Sequence, residues 1–389
     1  MQQPVLVVGG GFGGVYATKR LLEKGRRVIL ISESQYFTFT PLLHEVATGS
    51  LLAHDIAFEY EGFFRSPRFE FICGRVTRIE PDQKRVWIGE TSLSYHALVL
   101  ATGSRTNERI IKGTEHAREL KNVDDALAIK KAIMAKAQRP EKSVSVTVIG
   151  GGPTGCELVF EIQRFLMAIK KRHPTLMSHV RLIHAKQEIG GATKPQMQTY
   201  IEDRIVRSGI EVIRPALARE INQTHIITDR GTFASDVTIL VAGVRPNTDG
   251  FVGALPCDPL GHVMIEPTLE VRGLEDVYAL GDIIRMGEMV IPKLAQTAIQ
   301  EAHVVAENIL RKQQRQPLFP YRPRIKGFLL SLGYGDGVGD VFGMVVKGPL
   351  AWYIWRTIYL FKTPGLTNKL RVAFSWTIGL FTGRDLASL

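Results

Sequence analysis

Only three cysteines, Cys73, Cys156 and Cys257, occur in 389 residues, and no two form a Cys-x-x-Cys pair. That spacing argues against a disulfide framework and fits a reducing compartment. It also counts against chemistry that passes electrons through a redox-active disulfide. Low-complexity tracts are missing. The apolar stretch Pro349–Phe361 is too short to span a bilayer, and Arg356 interrupts it. No charged leader or cleavage site precedes the opening MQQPVLVVGG, so no secretory signal is expected. No metal-ligating cluster stands out. Acidic residues become scarce towards the end, where Arg322, Arg324, Lys326, Lys347, Arg356, Lys362, Lys369, Arg371 and Arg384 face only Asp336, Asp340 and Asp385. Much of the formal net charge of +11 therefore sits in one aromatic-rich segment, which suits an anionic lipid surface or nucleic acid.

The length suffices for two or three domains with cores of their own. A short apolar run, Val5 to Val8, flows into a glycine-rich turn at Gly9–Gly14, and a second, Val144 to Ile149, flows into Gly150–Gly155. Two strand–turn–helix openings imply two dinucleotide-binding α/β units. Val28–Ile31, Ala97–Leu100, Val180–Ile183, Val237–Val241 and Val277–Leu280 read as further strands, and Asp124–Ala137 as a helix. The doubled glycine motif is the only internal repeat that can be read. We expect an α/β fold with two Rossmann-like domains: residues 1–115 and 246–320 form the first, and 116–245 form the second. A C-terminal amphipathic, membrane-anchoring helical region would then occupy 321–389.

Gly9-x-Gly11-x-x-Gly14 permits a tight turn, close approach of backbone to a pyrophosphate, and close helix–strand packing. Phe12 and Gly13 open the helix that follows. The second strand ends at Ser32-Glu33, where a carboxylate can accept hydrogen bonds from a ribose. Gly150-x-Gly152-x-x-Gly155, with Pro153 and Thr154 inside it, repeats the logic. There the acid is missing: after a long basic segment, Arg164 to His179, the strand ends at His184-Ala185-Lys186. Without a carboxylate to repel a 2′-phosphate, NADPH stays open beside NADH. Two further strands run into small-residue turns, at Ala101-Thr102-Gly103 and at Gly281-Asp282. Together with two glycine motifs in this order, they point to FAD at the first motif.

In the order of these elements the chain resembles the two-dinucleotide-binding-domain flavoproteins, and within them the type II NADH dehydrogenases, which reduce quinone without pumping protons. The resemblance covers nearly the whole chain. Phe39-Thr-Pro-Leu-Leu-His-Glu-Val-Ala-Thr-Gly49, Gly150–Glu157, the long segment from Glu157 to Val180, and Ala295-Gln-Thr-Ala-Ile-Gln-Glu301 carry it, with the aromatic, basic tail. It implies FAD and NADH as cofactors, with hydride passing to FAD and two electrons on to a membrane quinone. Pro41, Thr48, Gly49, Val76 and Ala295 become candidate cofactor contacts, as do Ala242 and Gly243 in the second domain. Glu157, expected in the first turn of its helix, would lie near the nicotinamide–flavin contact and assist hydride or proton movement. Gln296 and Gln300, four apart and so on one helical face, would lie where the quinone approaches. Neutral amides there can hydrogen-bond a quinone carbonyl without imposing charge. Lys293 could stabilise a quinol oxyanion, but simple exposure to solvent is favoured for it.

Pro349–Phe361 and Leu366–Phe381, parted by Thr363-Pro-Gly365, read as two aromatic-rich helices with basic flanks. The second has Leu370, Phe374, Ile378 and Phe381 at helical spacing, and both suit insertion among lipid headgroups. No nucleic-acid module accompanies the charge. The expected partners are thus a membrane quinone and an anionic lipid surface, on the cytoplasmic face, and a homodimer is left open. Rival readings are a sulfide:quinone or ferredoxin-type reductase, or a binding flavoprotein like apoptosis-inducing factor. Cys156 is expected to be a packing residue.

Overall fold

The computed structural model describes residues 3–382, apart from 109, 140–142, 192–193, 252–254 and 326. In chain order, the elements that matter begin with β1 (Val5–Val8), α1 (Phe12–Glu23), β2 (Val28–Ser32), the short α2 (Leu43–Val46), β3 (Phe69–Cys73) and β4 (Ala97–Leu100). Next come α3 (Val123–Ala137), β5 (Ser143–Ile149), α4 (Pro153–Arg172), β6 (Met177–Ile183), β7 (Glu211–Ile213) and β8 (Val237–Leu240). They end with β9 (Val277–Ala279), α5 (Ala295–Gln313), β10 (Gly327–Ser331), β11 (Gly337–Val341), β12 (Met344–Lys347), α6 (Gly348–Lys362) and α7 (Leu366–Thr382). The chain folds as two compact units. One comprises Met1–Phe37, Phe58–Arg105 and Val244–Ile325; the other comprises Thr38–Ala57, Thr106–Gly243 and Lys326–Leu389.

The first unit is built on a five-stranded sheet in the order β9-β4-β1-β2-β3. All its pairings are parallel. Every residue of β1 and β4 is buried, which explains why both read as unbroken apolar runs without alternation. Helix α1 buries Val15, Ala17 and Leu21 and packs on α5. The second unit repeats the plan with a parallel sheet in the order β7-β6-β5-β8. Its α4 runs for 20 residues and ends on Lys170, Lys171 and Arg172, where cations complement the helix dipole. The long basic segment after Arg164 is therefore mostly helix.

The duplication goes further than the glycine turns. The first unit carries an antiparallel three-stranded meander over Val76–Glu80, Arg85–Ile88 and Thr91–Ser94. The second carries another over Ala218–Ile221, His225–Thr228 and Gly231–Ala234. The meanders repeat a pattern of alternation rather than residues, so the sequence did not reveal them as a repeat.

Both C-terminal helices form, but they are not peripheral to the second unit. Strands β10–β12 make an antiparallel sheet, and α6 packs on β10 and β11. Trp355 is fully buried, and Val372 and Trp376 of α7 are buried too. Arg356, which interrupts the apolar stretch and was counted in the basic C-terminal charge, is held inside, with its guanidinium 4.1 Å from the Trp352 ring centre and 4.6 Å from that of Trp376. The side chains of Ile378 and Phe381, and Lys326, Arg384 and Asp385, fall outside the described residues. Among the described residues no helix is long and apolar enough to cross a membrane.

Candidate active site: two dinucleotide cradles and a buried carboxyl cluster

In the first unit, the turn after β1 demands glycine for steric reasons. Gly9 has φ +110°, and a Cβ there would lie 2.3 Å from the Ala101 carbonyl oxygen. A Cβ on Gly14 would lie 1.8 Å from the carbonyl oxygen of Gly9, so α1 can meet the strand only through a glycine. Gly13 fits under Leu280 in the same way. Gly11 differs: nothing lies within 4 Å of a Cβ placed on it. Gly11 is also the N-cap of α1, and no side-chain hydrogen bond caps the helix. Such a helix start suits a pyrophosphate. Phe12 begins α1 and stacks edge-on against Phe37.

Around this cradle the unit gathers the other candidates. Glu33, just past β2, is exposed and meets the Arg75 guanidinium at 2.6 Å. Tyr60 was missed by the sequence reading; its hydroxyl reaches the Gly10 carbonyl at 2.8 Å and braces the turn from beneath. Opposite, Thr102 donates to the Asn247 carbonyl at 2.6 Å, and Asn247 N–H donates to the Gly103 carbonyl at 2.9 Å. Gly281-Asp282 follows β9, with the Asp282 carboxylate accepting from the Ser104 hydroxyl at 2.7 Å. Gly281 N–H donates to Glu301 at 2.6 Å. Glu301 is fully buried, and burial pushes its carboxyl up to about 7. Val76 is buried at the start of the meander, and Ala295 begins α5.

The two glutamines of α5 have different surroundings. Gln300 donates to the carbonyls of Gln296 (3.0 Å) and Arg324 (2.9 Å) and accepts from Arg324 N–H (3.1 Å). Its amide thus anchors the 322–325 segment. Gln296 lies one turn earlier and is half-buried. Lys293 is exposed, as expected, but its ammonium donates to the Ile284 carbonyl at 2.7 Å, and desolvation there pushes it below the usual lysine range.

The second unit builds the same turn. Gly150 has φ +114°, and a Cβ there would press on Ala242 at 2.7 Å. A Cβ on Gly155 would lie 1.8 Å from the Gly150 carbonyl oxygen. Gly152, the N-cap of α4, again has nothing within 4 Å and no side-chain cap, with Pro153 and Thr154 as the first helical residues. Gly243 adopts φ +68° beside Ile110. His184, at the end of β6, accepts a hydrogen bond from Gly151 N–H through Nδ1 at 3.0 Å.

Glu157 is not the first-turn acid expected from the helix dipole. It is the fifth residue of α4 and is buried. Its Oε1 accepts from Ser331 N–H at 3.0 Å and from Trp355 Nε1–H at 3.1 Å. Its Oε2 lies 3.9 Å from His44 Nδ1. Burial pushes the Glu157 carboxyl up to about 8, against the two donors and with help from Glu45 and Glu161. Glu45 is likewise pushed up to about 7, chiefly by burial and then by Glu161. It accepts from Trp376 Nε1–H at 2.7 Å. Glu161 accepts from the Ser50 hydroxyl at 3.2 Å and lies 3.6 Å from Arg164.

Pro41, Thr48 and Gly49 belong to this second unit rather than the first. Pro41 lies in a single 3-10 turn, the Thr48 hydroxyl donates to the His44 carbonyl at 3.0 Å, and Gly49 has φ +72°. Cys156 is fully buried and its thiol is pushed well above the usual range, so it packs and does not react.

Residues 3–302 match the family model of the pyridine nucleotide-disulphide oxidoreductases, and residues 326–385 match the NDH2 C-terminal domain. The chain belongs to the pyridine nucleotide-disulphide oxidoreductase family. It is 26% identical to a probable NADH dehydrogenase of Dictyostelium discoideum, over 99% of this chain and 91% of that one. It is 27% identical to the type II NADH:quinone oxidoreductase Ndh of Mycobacterium tuberculosis, over 98% of this chain and 88% of that one. The fold matches NDH2 of Plasmodium falciparum solved with NADH, with a TM-score of 0.91, 19% identity and 99% of each chain covered. Within the family the chain is similar to the type II NADH:quinone oxidoreductases, through its C-terminal domain and these relatives.

The family implies FAD. The open, uncapped start of α1, the exposed Glu33 carboxylate and the Gly281-Asp282 turn fit that group in the first unit.

Proposed function

We propose that the protein is an FAD-dependent NAD(P)H:quinone oxidoreductase that works at a membrane surface. The observation that carries this reading is the pair of uncapped glycine-rich helix starts, one in each unit of a chain ending in the NDH2 C-terminal domain. When bound, FAD supplies a two-electron relay between the reduced nicotinamide and the quinone. Glu33 and Asp282 would hold its ribose and ribityl hydroxyls, and the first-turn N–H groups of α1 its phosphates. The start of α4 would bind the phosphates of NAD(P)H.

The net reaction consumes one proton from solvent besides the hydrogen that leaves the nicotinamide. Glu157, with a carboxyl pushed up to about 8, is mostly protonated near neutral pH and is suited to hold that proton. Gln296, half-buried in the first turn of α5, would meet a quinone carbonyl, while the Gln300 amide holds the Arg324 backbone. A lipid surface is supported by Leu366, Leu370 and Phe374, a stripe at four-residue spacing on α7, each 63–74% exposed. Lys369 and Arg371 flank that stripe.

Anaerobic stopped-flow on flavin-loaded protein tests the reading. Bleaching of the flavin band by a reduced nicotinamide, then recovery with a short-chain quinone, is expected. Gln296→Ala should slow recovery about tenfold or more while leaving bleaching intact. Bleaching without recovery in the wild type would leave the fold and exclude quinone as the acceptor.

A further inference from the structure

The two cradles can be compared inside one chain, and they differ where a nucleotide's ribose would be met. At the end of β2 stands Glu33, a carboxylate. At the matching place after β6 stands Ala185, since the N–H groups of Gly9 and Gly150 donate to Ile31 and Ile183 alike, and just before it stands His184. Its Nδ1 accepts the Gly151 N–H, so that nitrogen carries no proton and the imidazole is neutral. The ring covers the turn closely: a Cβ on Gly151 would lie 2.8 Å from the ring's Cγ. Burial holds the imidazole below the usual histidine range, and Lys186 and Arg214 push the same way. Two cations therefore lie near the ring. Arg214 is committed to Glu202 at 2.6 Å. Lys186 is exposed and has no ion pair among the described residues. Glu188 is the opposing charge on this loop, and its backbone carbonyl is hydrogen-bonded to His184.

We infer that the second cradle takes the 2′-phosphate of NADPH, received by the Lys186 ammonium beside a neutral His184, so that NADPH and NADH are both productive reductants. This rests on the reading that a nicotinamide dinucleotide binds at the start of α4. A carboxylate at the end of β6 would hold the ribose diol of NADH and repel a doubly charged phosphate. An alanine there, beside a neutral ring, removes the repulsion, and a cation at the next residue supplies attraction that NADH cannot use.

Calorimetric titration with 2′,5′-ADP and with 5′-AMP tests the phosphate site without turnover, and anaerobic stopped-flow with NADPH and NADH tests its use. In wild type, 2′,5′-ADP is expected to bind at least as tightly as 5′-AMP, and NADPH to bleach the flavin with an apparent Kd within about tenfold of NADH's. Lys186→Ala should weaken 2′,5′-ADP and NADPH about fivefold, and Lys186→Glu further, with NADH changed less than about twofold. Ala185→Glu should weaken NADPH at least about tenfold and leave NADH as good or better. Weaker binding of 2′,5′-ADP than of 5′-AMP, or equal binding to wild type and Lys186→Ala, overturns the inference. If NADH alone bleaches the flavin, the inference fails and the oxidoreductase reading stands. If neither nucleotide bleaches it, the oxidoreductase reading fails, and the titrations still decide the phosphate site.

Discussion

Glu157 shows what a single residue's surroundings decide. Position in a glycine-rich motif marks it as a candidate, but its partners Ser331 and Trp355 are 174 and 198 residues away in the chain. No local pattern could supply them. Its folded carboxyl, up to about 8, sits above the unfolded value of about 4.3, as do those of Glu45 and Glu301 at about 7. Between those values the folded state keeps protons that the unfolded state has released. Stability is therefore fully present below about pH 4 and drains as pH rises towards 8. Thermal unfolding should show a lower Tm at pH 8.5 than at pH 5.5. Glu157→Gln, neutral throughout, should flatten that slope and gain on the order of a few kcal/mol over wild type at pH 8.5. An unchanged slope would mean Glu157 titrates normally. Glu33 is the opposite case, legible from the end of its strand, while its partner Arg75 was not. Glu33→Ala should lower flavin retention after gel filtration about tenfold and leave Tm of the flavin-free protein nearly unchanged.

At the scale of elements, each turn separates glycines that the fold needs from those a ligand would need. Gly14 and Gly155 would each drive a Cβ to 1.8 Å from a backbone carbonyl oxygen, whereas Gly11 and Gly152 face open space. Gly155→Ala should cost several kcal/mol, since strand and helix must separate to admit the methyl group. Gly152→Ala should leave Tm within a degree or two and weaken nucleotide binding at least about tenfold. Equal loss of Tm in both variants would remove the distinction. Most strands and helices were legible because buried parallel strands read as apolar runs and glycine marks where they turn. The paired meanders were not recognised as a repeat, because alternation can be preserved with no residue in common.

At the scale of the whole molecule, the C-terminal segment has two tasks that its composition alone merges into one. Trp355, Arg356 and Trp376 face the buried carboxyl cluster, while Leu366, Leu370 and Phe374 are exposed. Replacing Leu370 and Phe374 together by Glu should reduce partition onto anionic vesicles about tenfold or more, with Tm nearly unchanged. Loss of Tm without loss of vesicle binding would place that stripe in a protein contact. The sequence by itself determined the class: two glycine turns in strand–helix register, and the order of the remaining strands, leave little else for the chain to be. Those signals are local, because they reflect backbone sterics and strand burial over a few residues. Only the tertiary structure decided that residues 38–57 group with the second unit, that Arg356 turns inward, and that Glu157 is buried among donors from β10 and α6. Those facts depend on contacts between segments far apart in the chain, and a side chain's charge and polarity do not say which segment will bury it.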